Sequence, residues 1–147
     1  MAVMGEPRQP PTAALDAALG RVGDRWSFLL VAALLDGPLR FADLAERVPG
    51  IAPNILVQRL RRLEEQRVVV ASPYSDRPPR VAYALTEDGR ELAGVLRLLA
   101  GWGERAGGEG GVALRHLTCG TALEAHWFCP TCSRTVEDPE ASELRFA

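Results

Sequence analysis

From Arg40 to Glu65 the chain reads RFADLAERVPGIAPNILVQRLRRLEE, and the spacing of its apolar residues decides the fold. Phe41, Leu44, Ala45 and Val48 share one side of a short helix running from Arg40 to about Arg47. Pro49-Gly50-Ile51 then makes a tight turn, and Pro53 suits the first position of the next helix. Two short helices joined by a Gly-containing turn form a helix-turn-helix. At about 100° per residue, Leu56, Leu60 and Leu63 point one way along the second helix. Asn54, Gln58, Arg61, Arg62 and Glu65 point the other way, and Arg59 lies between the two sets. Asn and Gln suit the N6/N7 edge of adenine, and Arg suits the O6/N7 edge of guanine. A plain solvated helix face carries the same groups, so this helix alone leaves both readings open.

The next residues separate them. Val68-Val69-Val70-Ala71 reads as a strand and Val81-Ala82-Tyr83-Ala84-Leu85 as its partner. Between them, Tyr74 to Arg80 forms a hairpin tip stiffened by Pro78 and Pro79 and carrying Arg77 and Arg80. A helix-turn-helix followed directly by a basic hairpin is a winged helix. Such a wing lies along the backbone or minor groove, where Arg77 and Arg80 would neutralise phosphates.

Three further helices complete the pattern. Thr12 can cap a helix through about Arg21, with Leu15, Ala18, Leu19 and Val22 on one face. Asp24 can cap a second, apolar nearly all round, which makes it the expected centre of the core. Thr86-Glu87-Asp88-Gly89 opens the last, with a capping hydroxyl and two acids suited to the helix N-terminus. Leu92, Val95, Leu96, Leu99 and Trp102 recur along it at helical spacing, broadened by Leu98 and Ala100. That stripe needs a cover, either its own domain or a second copy. The second copy is favoured, since a dimer presents two reading helices about one DNA turn apart.

Composition agrees with one soluble domain plus an appendage: 147 residues, 47% hydrophobic and 24% charged. The net charge of −2 is not that of a basic nucleic-acid binder, but its distribution is uneven. Between Pro53 and Arg80 six arginines face three acids. All 17 basic residues are Arg, a bias that G/C-rich codons explain, and Arg presents a bidentate fork to phosphate. No apolar run is long enough for a membrane span, and Met1 to Pro11 lacks the basic start and apolar centre of a secretion signal, so the expected compartment is the cytoplasm.

In this order, Gly23-Asp24-Arg25-Trp26, Gly37-Pro38-Leu39-Arg40-Phe41, Pro49-Gly50-Ile51, Gln58-Arg59-Leu60-Arg61-Arg62-Leu63-Glu64, Pro78-Pro79-Arg80-Val81-Ala82-Tyr83 and Leu85-Thr86-Glu87-Asp88-Gly89 resemble the HxlR-type winged helix-turn-helix regulators. The resemblance runs from roughly Ala13 to Glu104. It implies a dimeric bacterial repressor or activator whose terminal helices form the dimer interface. Two departures stand out. Family members often carry a cysteine at the start of the first helix, used by some as an oxidant sensor, where this chain has Pro11-Thr12-Ala13-Ala14. The family also commonly places Ser before the reading helix, where this chain has Ala52, a lost cap costing about 1 kcal/mol.

Beyond the Gly-rich linker 107–111, the three cysteines and both histidines of the chain fall in one short stretch. His116-x-x-Cys119 and Cys129-x-x-Cys132 supply four soft ligands in two pairs, enough to close a tetrahedral structural Zn²⁺ site on a small β-ribbon, with His126 the other candidate fourth ligand. Free thiols, or a Cys129–Cys132 redox pair, are the competing readings. Some extended relatives look similar here.

The expected fold is therefore α+β, mainly α: a flexible arm at 1–11, a winged helix-turn-helix with terminal dimerisation helices at 12–106, the linker, and a Cys/His ribbon with an acidic tail at 112–147. The expected function is a homodimeric DNA-binding regulator, a repressor, on a pseudo-palindromic operator. Its DNA contacts would be Asn54, Gln58, Arg59, Arg61, Arg62, Arg77 and Arg80. The alternatives are a winged-helix protein-interaction module and a thiol- or metal-responsive regulator. An enzyme is disfavoured, because the winged-helix body offers no paired acid and base.

Overall fold

The computed structural model describes residues 12–107 and 114–136. The expected arm, most of the linker and the acidic tail lie outside the described residues. In chain order the elements are α1 (Thr12–Val22), α2 (Arg25–Leu34), β1 (Leu39–Arg40), α3 (Phe41–Arg47), α4 (Pro53–Glu65), β2 (Val69–Asp76), β3 (Pro79–Leu85), α5 (Glu87–Arg105), β4 (Trp127–Cys129) and β5 (Arg134–Val136). β1, β3 and β2 form one antiparallel sheet with β3 central, and β4 and β5 form a separate hairpin. This is the expected α+β winged helix. β1 is the one element not anticipated: two residues carry no periodicity, and Leu39 and Arg40 become a strand only by pairing with Tyr83 and Ala82.

Residues Ala14–Leu96 make one compact unit. Its core is Leu30, Val31 and Leu34 of α2, Leu44 of α3, Leu56, Leu60 and Leu63 of α4, and Val68, Val69 and Leu85 of the hairpin base, all buried. Each such side chain contributes about 1.5–3 kcal/mol by leaving water. Gly89 and Leu96 are the buried residues of α5, and none of the helix beyond Leu96 is buried. On α1, Val22 is buried, whereas Leu15 and Leu19 stay exposed.

Asp24 fixes the start of α2 and ties it to α4. Its Oδ1 accepts from the Ser27 backbone N–H at 3.1 Å, and its Oδ2 accepts from the Ser27 hydroxyl at 2.6 Å. Ser27 is fully buried, so this bond satisfies a hydroxyl that water cannot reach. Arg59 Nε of α4 lies 3.0 Å from Asp24 Oδ1. Burial pushes the Asp24 carboxyl up, but the Ser27 bonds and the Arg59 guanidinium more than offset it and hold it below the ordinary 3.8. A lowered folded-state pKa means stability present above the unfolded value and lost as pH falls through the folded one. Asp24→Ala is therefore expected to cost about 1–2 kcal/mol at pH 7. It should also flatten the loss of stability below about pH 4. Urea unfolding at neutral and acid pH checks both; an unchanged acid slope in the variant would contradict this role.

Candidate nucleic-acid interface

α4 is held from beneath by Leu56, Leu60 and Leu63, all buried, so its opposite face is fixed toward solvent. The turn leading into it is set by Gly50, whose φ of +86° is favourable only for residues without a Cβ. Ala52 occupies the N-cap position and offers no side-chain bond, as its methyl requires, and Pro53 follows at the first helical position. The last turn of α4 closes through Arg67, left-handed at φ +57°, with the Val68 N–H bonded to the Leu63 carbonyl at 2.9 Å. That closure delivers the chain straight into β2 and the wing.

The polar face of α4 divides once its neighbours are in place. Asn54, Gln58 and Arg61 are exposed. Arg59 is half-buried against Asp24, and Arg62 donates through Nη2 to the Gly20 carbonyl at the end of α1. Both arginines are engaged in holding helices together, which periodicity within α4 could not reveal. Arg61 and Glu64 lie near Tyr83 of β3: burial pushes the Tyr83 phenol up, Glu64 adds to this and Arg61 opposes it. α4 and the base of the hairpin are thus electrostatic neighbours.

The wing is longer than its sequence suggests. Pairing runs to Asp76 opposite Pro79, leaving only Arg77-Pro78 at the turn, with a cis peptide bond between them. Pro73 is tolerated because β2 is an edge strand, free of a second partner in the sheet. The register shifts between Pro73 and Ser75, which leaves Tyr74 as a bulge. Over that ring sits the Arg40 guanidinium, 4.9 Å from its centroid, so β1 steadies the wing by a cation–π contact. The ring that Arg40 faces is 34 positions away along the chain, beyond the reach of local sequence patterns. Arg77 and Arg80 are exposed, and among the described residues neither carries an ion pair.

The stripe on α5 also divides. Leu96 is buried and Leu92 packs against the core, so both are taken up by their own domain. Val95, Leu98, Leu99 and Trp102 remain exposed, Trp102 by 62%. Between α1 and the start of α5, a shallow cleft of about 190 Å³ is lined by Ala18, Val22, Leu92 and the Arg21–Asp88 ion pair. It is smaller than the roughly 300 Å³ at which small-molecule sites begin.

In the C-terminal segment the expected ligands come together as pairs. His116 Nδ1 lies 3.3 Å from Cys119 Sγ, which is also 3.3 Å from Thr121 Oγ1. Hydrogen bonding with Thr121 first, then with His116, draws the Cys119 thiol down to about 7. Bonds from Cys132 lower Cys129. Among the described residues, no group of three or more His, Cys, Asp or Glu is gathered in ligand geometry.

Comparison with known proteins follows the same outline. The family model described as HxlR-like helix-turn-helix matches residues 21–110. YodB, an HTH-type transcriptional regulator of Bacillus subtilis, is 33% identical over 91 residues, covering 62% of this chain and 81% of its own. Rv3095, an uncharacterized HTH-type transcriptional regulator of Mycobacterium tuberculosis, is 37% identical over 123 residues, covering 81% of this chain and 77% of its own. Among solved structures, the oxidized form of the redox regulator HypR superposes with a TM-score of 0.60 at 32% identity, covering 63% of this chain and 96% of that one. The HTH-type regulator ytcD superposes with a TM-score of 0.61 at 34% identity, covering 64% and 96%.

Proposed function

The chain belongs to the HxlR-like helix-turn-helix family, and on that premise we propose that it regulates transcription as a homodimer, with α4 in the major groove and the wing along the adjacent backbone or minor groove. The observation that carries this reading is the division of labour on α4. Its leucine seam is buried and Arg59 is half-buried against Asp24, while Asn54, Gln58, Arg61 and Arg62 stay exposed beside a wing carrying Arg77 and Arg80, Arg62 with one bond to the Gly20 carbonyl. The exposed side chains are base-edge readers on the helix and phosphate partners on the wing. Arg59 and Arg62 also tie α4 to its neighbouring helices, and Arg62, exposed with donors to spare beyond its bond to Gly20, can add a backbone contact. The role is non-enzymatic, and its place is the cytoplasm, where the DNA is. No helix among the described residues is long and apolar enough to cross a membrane.

The test is a binding comparison on the DNA upstream of the protein's own gene. Gln58→Ala and Arg61→Ala should each lose about 1–3 kcal/mol of discrimination between the bound sequence and scrambled competitors. Arg77→Ala should weaken binding to all sequences alike and lower the salt slope by about 1. Unchanged affinity in all three variants would remove the assignment. Dimerisation without any DNA binding would favour a protein-interaction module instead.

A further inference from the structure

The C-terminal segment folds the same turn twice. His116 and Cys129 occupy the first position of each turn, and Cys119 and Cys132 the fourth. The fifth residue is left-handed in both, Gly120 at φ +72° and Ser133 at φ +54°. First and sixth residues pair across each turn: the His116 N–H donates to the Thr121 carbonyl at 2.9 Å, and Cys129 pairs with Arg134. One step further out, Arg115 bridges Ala122 and Phe128 pairs with Thr135. Two hairpin tips with matching register thus each present two soft donors three residues apart, followed by a left-handed residue. Ser133 adopts that conformation although a side chain disfavours it. This is the backbone shape of a metal knuckle.

The described part of the segment also buries little. Among described residues 114–136, Val136 alone is buried, while Leu117, Trp127 and Phe128 are exposed. A stretch this short without a core needs a staple. A Cys129–Cys132 disulfide would use one turn and leave the equivalent His116/Cys119 turn without a purpose.

We propose that the two turns close on a single Zn²⁺ held by His116 and the thiolates of Cys119, Cys129 and Cys132. The equivalence of the turns selects His116 over His126, which lies in neither turn and has its Nε2 3.2 Å from Glu124 Oε2. Four protein donors leave no open position, so the ion is structural. Its binding draws together two preformed pairs that stand apart in the structure. Three thiols release protons as they bind, so retention weakens in acid.

The full chain, purified without chelator, should carry one zinc by mass-spectrometric metal analysis. Its Co²⁺ form should show tetrahedral d–d bands with thiolate charge transfer, and its three thiols should resist a thiol reagent until chelator is added. His116→Ala and Cys132→Ser should lose the metal, and His126→Ala should keep it. A metal-free chain with three reactive thiols even after zinc loading would overturn the proposal. So would a Cys129–Cys132 disulfide that forms in the presence of zinc, which would make the segment a redox pair. Loss in His126→Ala but not His116→Ala would overturn the paired-turn assignment. Every readout is taken without DNA and is independent of the regulatory role.

Discussion

Gly89→Ala should unfold much of the winged helix under conditions where the parent chain is stable. A Cβ at position 89 would stand well inside non-bonded contact distance of the Val68 carbonyl oxygen. That oxygen cannot simply move aside, because it accepts the Thr86 N–H at 3.0 Å and lies 3.2 Å from the Thr86 hydroxyl. The Gly89 N–H in turn donates to the Thr86 hydroxyl at 3.0 Å, capping α5. The first turn of α5 therefore seats directly on the backbone that joins α4 to the wing. Overpacking there should cost about 3 kcal/mol, the upper end for added volume in a packed site. For a domain of this size that lowers the melting temperature by roughly 15 °C. Gly94→Ala supplies the opposite sign on the same helix. Nothing lies within 4 Å of a Cβ there, so the change should stabilise α5 by about 0.5–1 kcal/mol. Equal effects from the two substitutions in thermal unfolding would show that close approach at Gly89 is not what seats α5.

Leu99→Asp should separate the proposed dimer and remove most DNA affinity. Val95, Leu98, Leu99 and Trp102 follow one another at helical spacing on α5, and all are exposed. Four neighbouring exposed apolar side chains of this size form the patch that the proposed dimer would cover. A carboxylate at position 99 would be carried into that seam twice, once from each copy, with no charge to meet it. Light scattering should then report a monomer. Because two half-sites are held at once only by a dimer, DNA affinity should fall about 10²–10⁴-fold. Leu99→Met, which keeps volume and polarity, should leave both properties intact. A dimeric Leu99→Asp with full affinity would place the interface elsewhere.

What could be read in advance follows the range over which each interaction acts. The leucine seam of α4, the Asp24 cap and the Thr86 cap depend on residues within a few positions, and each is where periodicity and capping chemistry put it. The fates of Arg59 and Arg62 depend on Asp24 and Gly20, more than thirty residues away, and no helical wheel contains them. The same holds for β1, made a strand by Tyr83 and Ala82, and for Arg40, steadied by Tyr74. On α5, spacing gave one stripe of five, and only tertiary packing divided it between Leu92 and Leu96 inside and Val95, Leu99 and Trp102 outside. At the C-terminus the His-x-x-Cys and Cys-x-x-Cys spacing was legible. The equivalence of the two turns was not, because it lies in backbone register and in the left-handed Gly120 and Ser133.

The central claim, that α4 and the wing read duplex DNA, is tested most directly by selection from a pool of random duplexes with the purified full chain, followed by sequencing. An inverted repeat should emerge, with half-site centres about 10 bp apart and preferences at two or three positions in each half. Those preferences should relax when the selection is repeated with Gln58→Ala and Arg61→Ala. A pool that stays random, or a motif unaltered by both substitutions, would contradict the account.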